Sequence, residues 1–498
     1  MSFLLEEIDK RRLEVNKLLN SKRRSQLGQF MTPIGVAEYM ASLFKPTNTC
    51  DHYLLDAGAG IGSLTCAYLD RIIVSESSAT INSYTFEIDD ILREQLKTSI
   101  KTYTDKLKLN TQIIADDFIE WAVDILINNN TLLNSSNPVR FTHAILNPPY
   151  KQFPSDSRYR KILRDVGIET GNLYSAFVAL ALALMEEGGQ VVAIIPRSFC
   201  NGPYFRHFRN YLLNEAAIHH LHLFNSRTEA FKDDKVLQEN VIILLERGGI
   251  QGDVVVSSST DSSFTDYVTK VRPFEKIVSS LDAEKFIHIP TSSVENPIVE
   301  SDHIVYTLQD IGVQVSTGPV VDFRSKNDLV QMPEPDSVPL FYPNHFVGQY
   351  VQWPKEMKNP NAIKRNEKTE KLLYPNGYYT VVKRFSSKEE KKRLVAGVLN
   401  PDQFNSEVIA FENSLNVFHS KKSGIPKELA HGLLAYLNSS WVDEYFRMFN
   451  GHTQVNATDL RAMKYPSREV LITLGCWVLT IADKIEQQKL DEKLEEIL

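Results

Sequence analysis

The first half of the chain alternates short apolar runs with amphipathic stretches. The runs YLLDAG, SYTFEID, NTQIIADDF, THAILNPP, QVVAIIP and ENVIILLE are rich in aliphatic residues and read as strands. Between them lie stretches with helical spacing, such as DILREQLKTSIKTYTDKL and NLYSAFVALALALMEEGG, the second predicted to end at Gly188–Gly189. Residues 3–24 predict a further amphipathic helix. Because strands that alternate with helices are covered on both faces, the pattern predicts a doubly wound α/β domain with a parallel sheet.

The pattern changes after the last of these runs. The stretch GGIQGDVVVSSSTDSSFTD is rich in glycine and serine and predicts a loop or a final edge hairpin. From about Pro297 onward, short strands and frequent turn signals predict a mixed α+β region, with helical patterns at Lys427–Phe449 and Arg468–Leu498. We therefore expect two domains, residues 1–295 and 296–498.

Composition narrows the class of protein. A chain of 498 residues with 43% hydrophobic and 23% charged residues is typical of a globular protein and not of a disordered or fibrous one. The four cysteines follow no ligand spacing and predict reduced, mostly buried thiols, and no metal site is predicted. The longest apolar run, Val470–Ala482, is shorter than the ~20 residues that span a bilayer, so it predicts a core helix. We expect neither secretion nor membrane insertion, and hence a cytoplasmic protein.

Polar residues follow the first three predicted strands, where ligands bind in doubly wound sheets. LLDAGAGIGSLT places Asp56 and a glycine-rich turn after the first strand, and glycines allow close approach of a ligand. Glu87 ends the second strand and could accept hydrogen bonds from ribose hydroxyls, whereas Asp117 and Phe118 offer an acceptor and a ring face to a purine. Each alone has a plainer explanation, since Glu87 and Asp117 could be helix N-caps and Phe118 a core residue. Together they predict an adenosine ligand, and an acid at position 56 suits a cationic tail rather than a pyrophosphate.

The stretch ILNPPYKQF, Ile145–Phe153, ends the fourth strand with a stiff turn, because proline fixes φ and lacks an N–H. This NPPY turn resembles the catalytic motif of the γ-class S-adenosylmethionine-dependent adenine-N6 DNA methyltransferases of type II restriction–modification systems. The order of motifs is similar as well, and LGQFMTPIGVAEYM, residues 27–40, resembles the segment that precedes the cofactor glycines in that family. The resemblance implies a Rossmann-like methyltransferase domain followed by a target-recognition domain, S-adenosylmethionine as cofactor and double-stranded DNA as substrate.

The resemblance also implies roles for individual residues. The catalytic turn would comprise Asn147, Pro148, Pro149 and Tyr150. The cofactor would be held by Thr32, Asp56, Gly58, Gly60, Glu87, Ile88, Asp117 and Phe118. The target base would stack between Tyr150 and Phe231, although Phe231 could equally be a core residue before a strand.

The chemistry of the turn suits a base that has been rotated out of the duplex. Asn147 Oδ1 and the carbonyl of Pro148 can accept the two N6 hydrogens of adenine, and Tyr150 can stack on its ring. Asn147 is neutral, so no side chain need act as a general base before attack. Positioning and electrostatics would then supply most of the rate.

The net charge of −7 hides a basic stretch. Trp353–Arg393 contains twelve lysines and arginines against five acids, a local balance of +7, which suits contacts to DNA phosphates but is also typical of a solvated face. Asn376-Gly377 within it predicts a hairpin that could enter a groove. The predicted contacts to the DNA backbone are Lys151 and Arg158, in the loop after the catalytic turn, and Lys383 and Arg384.

Three alternatives remain open at this point. A fused restriction–modification enzyme lacks room before Gly28 for a nuclease domain and shows no nuclease motif in its second half. An RNA or protein methyltransferase would keep the chemistry but change the substrate, and a non-catalytic DNA-binding subunit would keep only the fold. We expect a monomer in the cytoplasm, associated with the nucleoid, whose restriction endonuclease is a functional rather than a physical partner.

Overall fold

The computed structural model describes residues 2–18, 30–47, 49–75, 78–130, 140–224, 239–280, 282–291, 296–348, 350–386, 390–481 and 485–498. The chain divides into two compact units, Met1–Thr291 and Ser292–Leu498. Each unit is described by itself.

The first unit is built on one twisted sheet, which has nine strands within the described residues, in the order β3-β2-β1-β4-β5-β7-β6-β8-β9. Its strands are β1 (Asp51–Ala57), β2 (Thr80–Phe86), β3 (Lys108–Ile114), β4 (Phe141–Leu146), β5 (Met185–Pro196), β6 (Ala216–Phe224), β7 (Asn240–Arg247), β8 (Val254–Ser259) and β9 (Val268–Arg272). The first five strands pair in parallel, and β7 runs antiparallel to β5 and β6.

Helices cover both faces of this sheet. They are α1 (Phe3–Leu18), α2 (Ile34–Ser42), α3 (Ser63–Ser75), α4 (Asp90–Lys101), α5 (Phe118–Asn130), α6 (Arg158–Asp165), α7 (Leu173–Ala183), α8 (Arg206–Glu215) and α9 (Phe274–Ile277). Helices α1, α2 and α3 pack their apolar side chains on one face, and α5, α7 and α8 pack theirs on the other. The doubly wound α/β fold is therefore confirmed, and the parallel strands β1 to β4 end at one common edge.

The six predicted strands correspond to β1 to β5 and β7, and the edge hairpin is present as β8 and β9. The predicted end of the long apolar helix was wrong. Helix α7 ends at Ala183, and Met185 to Gly189 already belong to β5. Gly189 lies where a Cβ would come within 3.0 Å of the Phe141 carbonyl oxygen, so this glycine permits close strand pairing instead of ending the helix.

The second unit combines small sheets with helices, as expected. Within the described residues, a four-stranded sheet has the order β10-β20-β17-β18, a five-stranded sheet the order β11-β15-β12-β19-β16, and β13 pairs with β14. These strands are β10 (Gln314–Thr317), β11 (Leu329–Val330), β12 (Ser337–Phe341), β13 (Phe346–Val347), β14 (Tyr350–Val351), β15 (Ala362–Lys364), β16 (Leu373–Pro375), β17 (Tyr379–Lys383), β18 (Ala396–Leu399), β19 (Val408–Phe411) and β20 (Leu415–His419). The helices are α10 (Pro297–Glu300), α11 (Asp322–Ser325), α12 (Lys427–Leu437), α13 (Ser440–Phe449), α14 (Ala457–Ala462), α15 (Arg468–Leu479) and α16 (Gln487–Ile497).

The predicted hairpin at Asn376-Gly377 was wrong. Strands β16 and β17 flank this dipeptide but pair with strands of different sheets. Gly377 instead packs against Gly424, because a Cβ built on it would lie 3.1 Å from the Gly424 Cα. The dipeptide is a crossing point between the two sheets.

Candidate active site

A cavity of about 260 Å³ opens at the carboxyl ends of the parallel strands in the first unit. Its lining comes from the ends of β1 and β2, the start of α5, the NPPY turn and the segment before α2. Among the predicted catalytic and cofactor-binding residues it is lined by Thr32, Gly58, Gly60, Glu87, Ile88, Asp117, Phe118, Asn147 and Pro149. Residues that lie far apart in the sequence thus meet around one hollow.

The glycine turn leaves one wall of the cavity open. Gly58 and Gly60 adopt φ of 85° and 58°, and a Cβ at Gly60 would meet no atom within 4 Å. The buried carboxylate of Glu87 holds the turn, because it accepts hydrogen bonds from the Gly60 N–H at 2.9 Å and the Asp89 N–H at 2.8 Å. Burial raises the pKa of Glu87 to about 7, and these two hydrogen bonds act against that rise.

Asp117 and Phe118 form the opposite end of the cavity. Asp117 Oδ1 accepts hydrogen bonds from the Ile119 and Glu120 N–H groups and so caps α5. This agrees with the N-cap interpretation of Asp117 given by the sequence. Asp117 Oδ2 accepts a hydrogen bond of 2.6 Å from the hydroxyl of Tyr159, which also lines the cavity. Phe118 is buried, and its ring packs against Phe177. One carboxylate therefore combines a structural cap with an acceptor at the cavity wall.

Asp56, predicted to bind the cofactor, is not among the residues that line the cavity. Its carboxyl group is fully buried. Thr65 Oγ1 donates a hydrogen bond of 2.6 Å to Asp56 Oδ2, whereas Asp56 Oδ1 has no hydrogen-bond partner. Burial raises the pKa of Asp56 to about 7. In this arrangement Asp56 ties the end of β1 to the first turn of α3.

The side chain of Asn147 is held by the segment before α2. Asn147 Nδ2 donates hydrogen bonds to the Phe30 carbonyl at 2.8 Å and to Thr32 Oγ1 at 2.9 Å. Both partners accept, and Thr32 is buried. Because both N–H groups of the amide are engaged, its oxygen is fixed on the opposite side. Pro148 is buried at the base of the turn, and Pro149 lines the cavity.

Tyr150 is not an open platform in this structure. Its ring is half-buried, 5.9 Å from the ring of Phe30 and 6.4 Å from that of Tyr174 between centroids. Its hydroxyl lies 3.2 Å from Asn147 Oδ1 and 3.4 Å from the Ile194 carbonyl. The hydroxyl thus donates to the very oxygen that was expected to accept from a base.

The predicted DNA contacts have varied surroundings. Lys151 is exposed and lines the cavity, whereas Arg158 forms an ion pair of 3.0 Å with Glu120. Lys383 is half-buried, and Arg384 donates to the Asn413 carbonyl. Phe231 lies outside the described residues and stays a prediction.

Not all cations of the basic stretch face solvent. Arg393 is 1% exposed and bonds Asn450, and Arg365 pairs with Glu370. Part of the local charge of this stretch therefore serves internal contacts.

Three residues of the site were not predicted. They are Phe30, which accepts from Asn147, Tyr159, which binds Asp117, and Phe177, which packs on Phe118. Phe30 lies within the motif quoted above, but its function resides in a backbone carbonyl that no side-chain pattern reveals. Tyr159 lies in the first turn of α6, in a polar, basic stretch that was predicted as a loop and carried no signal for the cofactor site.

In the described part of the chain, no helix is long and apolar enough to cross a membrane. Nor does any group of three or more potential metal ligands come together among those residues.

Comparison with known proteins agrees with this geometry. Residues 9–231 match the family described as Eco57I restriction-modification methylase. The chain is 57% identical to the type II methyltransferase M.BsuBI of Bacillus subtilis, over 100% of this chain and 99% of that protein. It is 42% identical to the type II methyltransferase M.PstI of Providencia stuartii, over 99% and 96% of the two chains.

Among solved structures, a DrdV–DNA complex determined by cryo-electron microscopy matches with a TM-score of 0.50 at 12% identity, over 92% of this chain and 58% of that one. That likeness concerns the fold alone. The two full-length relatives carry the assignment, and they confirm the resemblance seen in the motifs. The chain belongs to the type II methyltransferases, the S-adenosylmethionine-dependent DNA-modifying enzymes of restriction–modification systems.

Proposed function

We propose that this enzyme transfers a methyl group to N6 of an adenine rotated out of duplex DNA, and thereby protects a specific site from a partner restriction endonuclease. The observation that carries the proposal is the pair of hydrogen bonds that fixes the side chain of Asn147. Its Nδ2 is bound by the Phe30 carbonyl and Thr32 Oγ1, so that Oδ1 can only act as an acceptor. An exocyclic amine is the donor that such an oxygen selects.

Asn147 would orient the amine without taking its proton. A neutral amide oxygen accepts one N6 hydrogen, and the carbonyl of Pro148 would accept the other. Both bonds draw the nitrogen lone pair away from conjugation with the ring. This is positional catalysis, in which fixed dipoles lower the barrier and no proton need leave before attack.

The cavity fits an adenosine-containing cofactor. Glu87 presents a carboxylate to ribose hydroxyls, Asp117 Oδ2 an acceptor to an exocyclic amine, and Phe118 a ring to the purine. The open space above Gly60 leaves room for ligand atoms at the turn. When bound, S-adenosylmethionine supplies the methyl group as an electrophilic sulfonium substituent. Gly58, Thr32 and Ile88 would complete its binding site, with Asp56 bonded to Thr65 behind it.

Tyr150 must change partner for a base to be gripped. Its hydroxyl bonds Asn147 Oδ1, so an incoming amine would replace this hydroxyl as the donor. We infer that Tyr150, once released, stacks on one face of the base, with Phe231 on the other. The exchange keeps Asn147 Oδ1 satisfied before and after the base arrives.

We assign target recognition to the second unit and catalysis to the first, so that the domains 1–295 and 296–498 have separate tasks. We also infer that the enzyme acts as a monomer in the cytoplasm, at the nucleoid, and that the endonuclease is a functional partner. Light scattering of the enzyme with and without DNA tests the monomer, since a dimer at all concentrations would contradict it.

The experiment that tests the function uses tritiated S-adenosylmethionine and unmethylated plasmid DNA. Digestion to nucleosides and mass spectrometry should reveal N6-methyladenine. Asn147→Ala should abolish it, and Asn147→Asp should nearly abolish it, because a carboxylate cannot donate to the Phe30 carbonyl and Thr32. Asn110→Ala, on an exposed strand position, is the matched control and should leave methylation unchanged. Methylated cytosine instead of adenine, or an active Asn147→Ala variant, would contradict the proposal.

A further inference from the structure

A two-residue turn at the end of β20 has an unusual sequence. Ser420 and Ser423 bond each other through both backbone groups, N to O at 2.9 Å and 2.8 Å. The two residues between them, Lys421 and Lys422, have φ of 49° and 65°. Turns that require positive φ at both central positions favour Asn-Gly, because L-residues with a Cβ are disfavoured in this conformation. Lysine has no side-chain acceptor that could compensate locally.

The surrounding structure holds this turn in place. His419 Nδ1 accepts a hydrogen bond of 3.1 Å from the Lys422 N–H, and His419 Nε2 lies 2.9 Å from Ser316 Oγ. Behind the turn, Gly424 packs on Gly377. A strained pair that persists because its surroundings determine it is a sign of function at that position.

Both lysine side chains are exposed. In the part of the chain that the structure describes, neither ammonium group has a carboxylate within ion-pair distance. The turn therefore presents two adjacent positive charges to solvent. Two like charges side by side repel each other unless an anion is bound between or beside them.

Beside the turn lies a cleft of about 780 Å³ within the second unit. Its polar walls are formed by Thr307, Gln309, Gln314, Ser316, Lys421 and Arg461. None of the described residues that line it is acidic, and the nearby Asp310 is bonded to Thr307. The cleft thus combines cations with amide and hydroxyl groups, in a chain whose net charge is −7.

We propose that the Lys421–Lys422 turn and Arg461 bind the phosphate backbone of duplex DNA. The inference rests on the proposed function and names a surface outside the basic stretch 353–393. Arginine and lysine at a polar cleft suit phosphate oxygens, and contacts of this kind set the register of a protein on DNA. Gln309 and Gln314 line the same cleft and would then face the bound DNA.

The test replaces Lys421-Lys422 with Asn-Gly, which removes both charges and favours the same turn. The full-length variant should therefore melt at the same temperature as the wild type or higher. Its binding to short sheared fragments of unmethylated plasmid DNA should weaken several-fold. The magnitude of the slope of the logarithm of the DNA association constant against the logarithm of the salt concentration should decrease by about 1.8, since each phosphate contact contributes about 0.9. Arg461→Gln should lower the slope by about half as much.

The chain offers a matched control in Lys285, which has φ of 51° but whose ammonium donates to the Ser280 carbonyl at 3.0 Å. Lys285→Gly should leave DNA affinity and salt slope unchanged. Unchanged DNA binding by the Asn-Gly variant would overturn the inference. A variant that loses affinity for competing single-stranded RNA but not for duplex DNA would overturn it as well. A wild type that binds S-adenosylhomocysteine but no DNA would instead refute the proposed function.

Discussion

Asp56 gives the sharpest test of the electrostatics of the site. Burial raises its pKa to about 7, whereas an aspartate in an unfolded chain titrates near pH 3.9. Between these two values the folded state binds one proton more than the unfolded state. The free energy of unfolding therefore falls as pH rises from about 4 to about 7, and stays level above that.

The magnitude follows from the same pKa difference. Each pH unit within the window costs about 1.4 kcal/mol, so raising pH from 5 to 7 should destabilise the wild type by about 3 kcal/mol through Asp56. Asp56→Asn keeps the hydrogen bond from Thr65 but cannot ionise. The variant should match the wild type near pH 4, and its advantage should grow by about 3 kcal/mol between pH 5 and pH 8.

Scanning calorimetry of the full-length chain measures this difference. The transition of the first unit is identified as the one that S-adenosylhomocysteine raises, and about 3 kcal/mol corresponds to about 6 °C in its midpoint. Asp51→Asn, at the exposed start of the same strand, is the matched control and should leave the pH profile unaltered. If wild type and Asp56→Asn run parallel from pH 5 to pH 8, the cost of burying the Asp56 carboxylate is the wrong account of this position.

Three further outcomes follow from the same contacts. Thr32→Val removes one acceptor from Asn147 Nδ2 and should lower kcat about 5-fold, because a hydrogen bond of about 1 kcal/mol is lost. Thr32→Ser should retain the hydrogen bond and the wild-type kcat. An unchanged kcat in Thr32→Val would show that the Phe30 carbonyl suffices. Tyr159→Phe removes the hydroxyl that orients Asp117 Oδ2 and should therefore weaken adenosine binding several-fold in competition assays. Binding of purine riboside, which lacks the exocyclic amine, should be spared, and equal losses would indicate a merely structural residue. Because burial raises the pKa of Glu87 to about 7, cofactor affinity should rise from pH 6 to pH 8 as the carboxylate ionises, and Glu87→Gln should abolish that rise; a persisting pH dependence would assign it to another group.

Much of the fold and of the site could be predicted because their signals are local. Glycines at 58 and 60 permit the positive φ of their turn, whereas prolines at 148 and 149 fix φ, so both turns can be predicted from the sequence. The strands of a buried parallel sheet are likewise continuous apolar runs. The end of helix α7 was missed because Gly189 is required by the close packing of a neighbouring strand and not by a helix end. Such packing is a tertiary property.

The same reason explains why the surroundings of the Asp56 carboxylate could not be predicted. Its position in the sequence fixes the strand end on which it lies but not which side of the glycine turn its carboxylate takes. The answer depends on Thr65, nine residues on, whose hydroxyl donates to the Asp56 carboxylate. The charge of the basic stretch misled in a similar way, since composition does not reveal that Arg393 is buried against Asn450.

The hydrogen bonds of Asn147 connect these parts into one argument about substrate selection. Its amide nitrogen is bound by fixed acceptors, whereas its oxygen is bound by a tyrosine hydroxyl at 3.2 Å, a longer bond than the 2.8 and 2.9 Å on the nitrogen side. The exchangeable bond is therefore the one on the oxygen. A ligand can displace Tyr150 only if it brings a donor of its own, since an unmet buried acceptor is costly. A base with a carbonyl at the corresponding position would place two oxygens face to face without a proton between them. Adenine has an amine there, which donates a hydrogen bond to the oxygen of Asn147.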